Sequence, residues 1–167
     1  MRALTVHQPY AHLVVTPQDE LPDGAYQKRV ENRTWKTNVR GQIAIHAGVS
    51  MKWFDGGDWP GVRKGHPQEQ YFFPEMAFGA VVGVAHIVEC FHINDIECGF
   101  IPDDRKWLQT HIHCNGPYCF VLDNVRRLPK PVPAVGKQGF WSLDEITEFR
   151  VLQEMDDMDD YEFLPRA

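Results

Sequence analysis

Lys28-Arg29-Val30-Glu31-Asn32-Arg33-Thr34-Trp35 is the stretch on which the reading of this chain turns. Taken as a strand, it alternates side chains between two faces, so Glu31, Arg33 and Trp35 share one side while Val30, Asn32 and Thr34 share the other. A carboxylate, a guanidinium and an indole then stand on one surface. Lys28 has the opposite parity, but it follows the Pro-, Asp- and Gly-containing loop Thr16 to Gln27. A bend or bulge at that point would bring its amine to the same face. The expected product is a compact polar group with an aromatic wall.

Upstream of this strand, Arg2 to Val6 reads as a first strand and Gln8 to Val15 as a short helix stopped by Thr16-Pro17. Tyr10, Leu13 and Val14 give that helix one apolar stripe. Gln8 and Tyr10 stand at its start, where they either receive an anion or, for Gln8, cap the helix. Downstream, Ile43 to Ala47 reads as a strand with His46 turned away from the isoleucines, either as a structural histidine or as a cleft residue. The segment 48–76 is long enough to be a flap, on which Trp53, Phe54 and Trp59 would stack on a base or pin the segment to the core. Phe78 to Glu89 holds the longest β-branched apolar run and is the central-strand candidate. Asp103 to Thr110 is expected as a short helix and Gly116 to Val125 as a strand. Leu128 to Pro133 is expected as a proline-rich connection. Gly136-Lys137-Gln138-Gly139 then leads into Phe140-Trp141-Ser142-Leu143. Lys137 and Gln138 would offer donors to a ligand, or the four residues would form a tight turn.

With 167 residues and 43% hydrophobic composition, the chain fits one globular domain, residues 1–143, followed by an acidic helix or tail, residues 144–167. The domain carries 15 Lys and Arg against 14 Asp and Glu, whereas the tail carries 2 against 9. A near-neutral domain does not coat duplex nucleic acid by charge alone, so any nucleic-acid role must rest on a local site. Leu143 to Leu152 has helical promise, whereas the density of like charge from Glu154 to Glu162 favours an extended or mobile segment, either a solubilising end or a contact for a protein partner. No apolar run approaches a membrane span and the amino end lacks a signal-peptide pattern, so a cytoplasmic location with no membrane partner is expected. The four cysteines are then expected as thiols. Cys90, His92, Cys98, His111, His113, Cys114 and Cys119 include enough ligand types for zinc, but their spacing matches no recognised finger, so no metal and no cofactor are expected.

The spacing Lys28-x-x-Glu31-x-Arg33 resembles the signature of the ASCH (activating signal cointegrator homology) family of the PUA-like superfamily. The chain also resembles that family in order through Leu4 to Ala11, Arg40 to Ala47, Phe78 to Gly83 and Gly136 to Trp141. It departs in having Tyr26 where the family has glycine two residues before the lysine. The resemblance implies an α+β fold, a small PUA-like mixed β-barrel with short flanking helices, and a function linked to RNA. In related small hydrolases of acetylated cytidine the motif lysine is implicated in catalysis, and a threonine stands where this chain has Glu31. Two readings follow. In the first, a cleft binds RNA, single-stranded nucleic acid, a nucleotide or a modified nucleobase. Lys28 and Arg33 contact phosphate there, Glu31 accepts from an exocyclic amine, Tyr10 or Trp35 stacks, and Gln8, His46, Lys137 and Gln138 stand around the ligand. In the second, an amidohydrolase or ribonuclease uses Lys28 as base or nucleophile and Glu31 as proton relay, with Gln8 or backbone donors holding the oxyanion. A bland alternative, a barrel ion pair of Glu31 with Arg33 and a core Trp35, stands beside both.

Overall fold

The computed structural model describes residues 1–50 and 75–162, and the aromatic group Trp53, Phe54 and Trp59 lies outside them. Among the described residues, six strands, β1 (Arg2–Val6), β2 (Val30–Arg33), β3 (Gly41–Ala47), β4 (Ala80–His92), β5 (Tyr118–Pro133) and β6 (Phe140–Ser142), form one sheet in the order β2-β5-β4-β3-β1-β6. β1 runs parallel to β3 and every other neighbouring pair is antiparallel. The α-helices α1 (Tyr10–Val15), α2 (Ile93–Glu97) and α3 (Glu145–Glu162) and the 3-10 turns Gln18–Glu20 and Asp103–Gln109 flank it. The class is α+β.

The sheet curls into a half-barrel. Phe120 of β5 and Phe140 of β6 belong to strands four places apart, which a flat sheet would hold about 19 Å apart, yet their rings stack with centroids at 6.1 Å. Trp35 fills the angle between them, edge-on to Phe120 at 5.1 Å and to Phe140 at 5.4 Å. These rings pack against a core of Leu4, Ile43, Ile45, Ala85 and Leu122, on which α1 also lies. At Gly83 the helix packs tightly: a Cβ there would meet Val15 Cγ1 and Arg126 O, each at 2.6 Å. The central-strand reading of Ala80 to Ala85 holds, since all six are buried.

Two expectations are corrected, and the short helix expected at Asp103 to Thr110 is refined. Leu128 to Pro133 is not a connection but the end of β5, where Pro133 pairs with Ala80 and Val132 with Val81. It tolerates proline because β2 pairs only with Tyr118 to Val121, which leaves this end without an outer neighbour. The ladder also breaks between Arg127 and Val132, where Lys130 N–H turns to Glu154 Oε2 at 3.1 Å. Asp103–Gln109 is a 3-10 helix, and α2 lies outside the expected elements. The acidic end is helical through Glu162 rather than extended. Asp144 accepts the Thr147 N–H at 2.9 Å and the Thr147 hydroxyl at 2.8 Å, which starts the helix. Val151, fully buried with Leu128, Val132 and Leu143, holds it to the sheet. Among the described residues no helix is long and apolar enough to cross a membrane.

Candidate functional site

The strand β2 delivers Glu31 and Arg33 to one face, and the chain bends before it so that Lys28 joins them. Lys28 N–H donates to Leu13 O at 2.8 Å, which ties the bend to α1. The residue is 4% exposed and its Nζ donates to Val30 O at 2.6 Å and to Glu31 Oε2. The other Glu31 oxygen accepts from Arg33 at 2.9 Å, and the same guanidinium nitrogen donates to Thr5 O at 2.6 Å. A carboxylate held between two cations is the result. Burial pushes the Lys28 ammonium below the usual lysine range, against the pull of Glu31 and with a further push from Arg33. For Glu31 burial acts upward, but Lys28 and Arg33 together outweigh it and keep its carboxyl below the usual range. The Tyr10 ring lies under Lys28 Nζ at 5.6 Å.

On the opposite face of β2, Asn32 fixes the loop that holds His113 to Gly116. Its amide donates to His113 O at 2.7 Å and accepts the N–H groups of Asn115 and Gly116 at 3.1 and 3.0 Å. His111 accepts the Arg29 N–H at Nε2, 3.3 Å away. Burial, then the positive charges of Lys28 and Arg29, lower its pKa to about 4, so its ring is neutral at neutral pH.

Arg33 continues into the wall of a cleft of ≈ 930 Å³, shared with Thr5, Trp35, His46, Lys137 and Gln138. Its Nε is buried and has no hydrogen-bond partner among the described residues. His46 is 1% exposed with Nε2 at 3.0 Å from Ala134 O. A carbonyl can only accept, so Nε2 carries the proton, and burial lowers the pKa of the ring. Gly136 lies against it: a Cβ at this position would come within 2.4 Å of His46 Cε1 and 2.9 Å of Thr5 Oγ1. Thr5 hydroxyl in turn donates to Lys137 O at 3.0 Å and accepts from Trp141 Nε1 at 3.2 Å. The backbone of the 136–139 loop is thereby anchored at one point, while the Lys137 and Gln138 side chains are exposed.

The sequence candidates thus divide. Arg33, Trp35, His46, Lys137 and Gln138 line one cleft, whereas Lys28, Glu31, Gln8 and Tyr10 do not border it. Gln8 is fully buried as a cap of α1, accepting the His12 N–H at 2.9 Å and donating to Ala77 O at 2.7 Å. It borders a second cavity of ≈ 400 Å³ with His12, Glu75 and Arg127. The zinc candidates do not converge. Cys114 and Cys119 hydrogen-bond to each other at 3.5 Å, His92 Nδ1 caps α2 through the Asn94 N–H at 3.2 Å, and Cys98 is exposed. Among the described residues no three His, Cys, Asp or Glu side chains gather as a metal site. Sequence reasoning missed Thr5 and His7, which also line the cleft. Strand alternation away from Leu4 and Val6 was the available signal. Nothing in the sequence marked Asn32 as the residue that fixes the loop.

An α+β half-barrel with a buried charge cluster at one edge strand and an open cleft beside it is the class that fold and geometry define. Among the solved structures similar to it are two of one protein. One is the ASCH protein of Zymomonas mobilis, at 12% identity and TM-score 0.46 over 94% of this chain and 94% of that one. The other is a tyrosine-to-phenylalanine mutant of that protein, at 12% identity and TM-score 0.48 over 91% and 96%. No family model and no curated protein matches the chain.

Proposed function

We propose that this chain is an ASCH-type, PUA-like domain that binds single-stranded RNA, a nucleotide or a modified nucleobase in the cleft beside β2. The observation that carries the reading is the position of Arg33: one nitrogen is held by Glu31 and Thr5 O, while the side chain stays 21% exposed in the wall of the cleft. A guanidinium held at one terminal nitrogen and partly exposed suits a phosphate or base acceptor. Lys137 and Gln138 add donors from the facing loop, and Trp35 supplies an aromatic edge. Lys28 acts at one remove, holding Glu31 so that Glu31 holds Arg33. Titration with short single-stranded RNAs and free nucleotides tests this. Arg33→Gln is expected to weaken binding at least about tenfold, and unchanged affinity in a folded variant would remove the reading.

One observation favours hydrolysis of an amide or phosphodiester: burial lowers the Lys28 pKa, as a base or nucleophile requires. Against it, the amine donates two hydrogen bonds within the protein and does not border the cleft. Mass-spectrometric turnover on acyl-modified nucleosides and short RNAs separates the two readings. Lys28→Arg retains the charge but does not readily deprotonate, so it is expected to keep binding and lose any turnover. Full turnover by this variant would exclude Lys28 as the base.

A further inference from the structure

The inner face of α3 is accounted for by Val151 and Met155 against the sheet, but the helix has a second apolar line. Ile146, Phe149 and Leu152 recur every three residues and are 68%, 61% and 41% exposed. At 100° per residue they occupy a stripe about 120° wide on the side away from Val151. Glu145 and Asp156 fall within the same stripe at its two ends, both exposed, about 16 Å apart along the axis. Three large apolar side chains on an exposed, strongly acidic helix are not needed for the fold, because the docked face is already complete. Clustered exposure of this kind marks a contact surface.

The charge pattern selects the occupant. A second copy of the chain would lay the same stripe against itself and set Glu145 and Asp156 against like charges. Nucleic acid would meet a segment with 9 acidic and 2 basic residues over 144–167. We infer that the outer face of α3 docks a helical segment of another protein, one that presents apolar residues at i, i+4 and i+7 bracketed by Lys or Arg about three turns apart. In such a pairing Phe149, at the centre of the stripe, is the anchor. Glu145 and Asp156 set polarity and register at its ends. This surface belongs to α3, so its success or failure is separate from that of the cleft.

The test uses the full chain and a synthetic helical peptide with Leu at i, i+4 and i+7 and Lys at both ends, with a companion carrying Glu in place of every Lys. Fluorescence anisotropy is expected to show saturable binding of the Lys peptide and none of the Glu peptide. Phe149→Ser leaves the charge intact and removes only an exposed ring, so the fold, checked by thermal melting, is retained while affinity falls about tenfold or more. The double variant Glu145→Gln, Asp156→Asn is expected to bind more weakly and to lose most of the salt dependence. Equal affinity of Phe149→Ser would reduce the effect to charge adhesion and overturn the proposal. So would binding of the Glu peptide, or a dimer of the unmodified chain in light scattering that Phe149→Ser dissolves.

Discussion

The Lys28 to Trp35 stretch places its charges in two different settings. Lys28 and Glu31 are sealed at 4% and 7% exposure, with the lysine amine given to Glu31 and Val30 O and the carboxylate given to Lys28 and Arg33. Arg33, two residues further along the same face, is shared between that interior and the cleft, and Lys137 on the facing loop is exposed. A spacing of six residues therefore contains an internal strut and a surface group. The difference teaches that charge within a motif is no guide to exposure. Lys28 and Glu31 hold each other in the interior, and Arg33 reaches the wall of the cleft.

The largest effect is expected where the strut is cut. Glu31→Ala leaves the Lys28 ammonium buried with only Val30 O and leaves Arg33 without its carboxylate partner. Breaking a buried pair by removing one member costs about 3–5 kcal/mol, to be read from urea denaturation near neutral pH. A loss below about 1 kcal/mol would show that water reaches the pair and would erase the contrast with the surface group.

Much of this architecture was legible because strand alternation is local. Arg2 to Val6, the apolar run from Ala80 and the shared face of Glu31 and Arg33 follow from period-two patterning, and the bend that brings in Lys28 followed from its loop. What was not legible depends on partners distant in sequence. The prolines of β5 are tolerated only because β2 stops pairing at Val121. The cleft exists because the curl brings Trp35 to Phe140 and Arg33 to Thr5. The acidic end reads as solvated until Val151 is seen against Leu128 and Val132. The division of the motif into strut and surface rests on burial, which the spacing alone does not contain.

A smaller effect comes from the titrating groups beside the strut. His111 has a folded pKa of about 4 against an ordinary 6.5, so between these values the unfolded chain binds more protons than the folded one. Stability from this group is therefore complete above pH 6.5 and is lost as pH falls toward 4. His12 and His46, also lowered by burial, act with the same sign. Glu31, held below its ordinary 4.5, adds a loss below that pH. His111→Gln keeps an acceptor for the Arg29 N–H and removes the titration. Its unfolding midpoint is expected to fall less steeply than that of the unmodified chain from pH 6.5 to 4. Parallel curves would place the acid sensitivity elsewhere.

The smallest effect on stability is expected at Lys137, and that is where the comparison is sharpest. Its amine is exposed, and the loop is anchored through its backbone carbonyl to Thr5 rather than through the side chain. The only described ring beneath the amine is Trp141, 6.0 Å away. Lys137→Ala should thus change unfolding free energy by no more than about 0.5 kcal/mol. If the cleft binds a phosphate-bearing ligand, the same change removes one cation from the site. The slope of log affinity against log salt should then fall by slightly less than one for a single-stranded ligand. An unfolding loss comparable to that of Glu31→Ala would make Lys137 part of the strut. Unchanged stability with a reduced salt slope would mark it as a surface group that acts on the ligand.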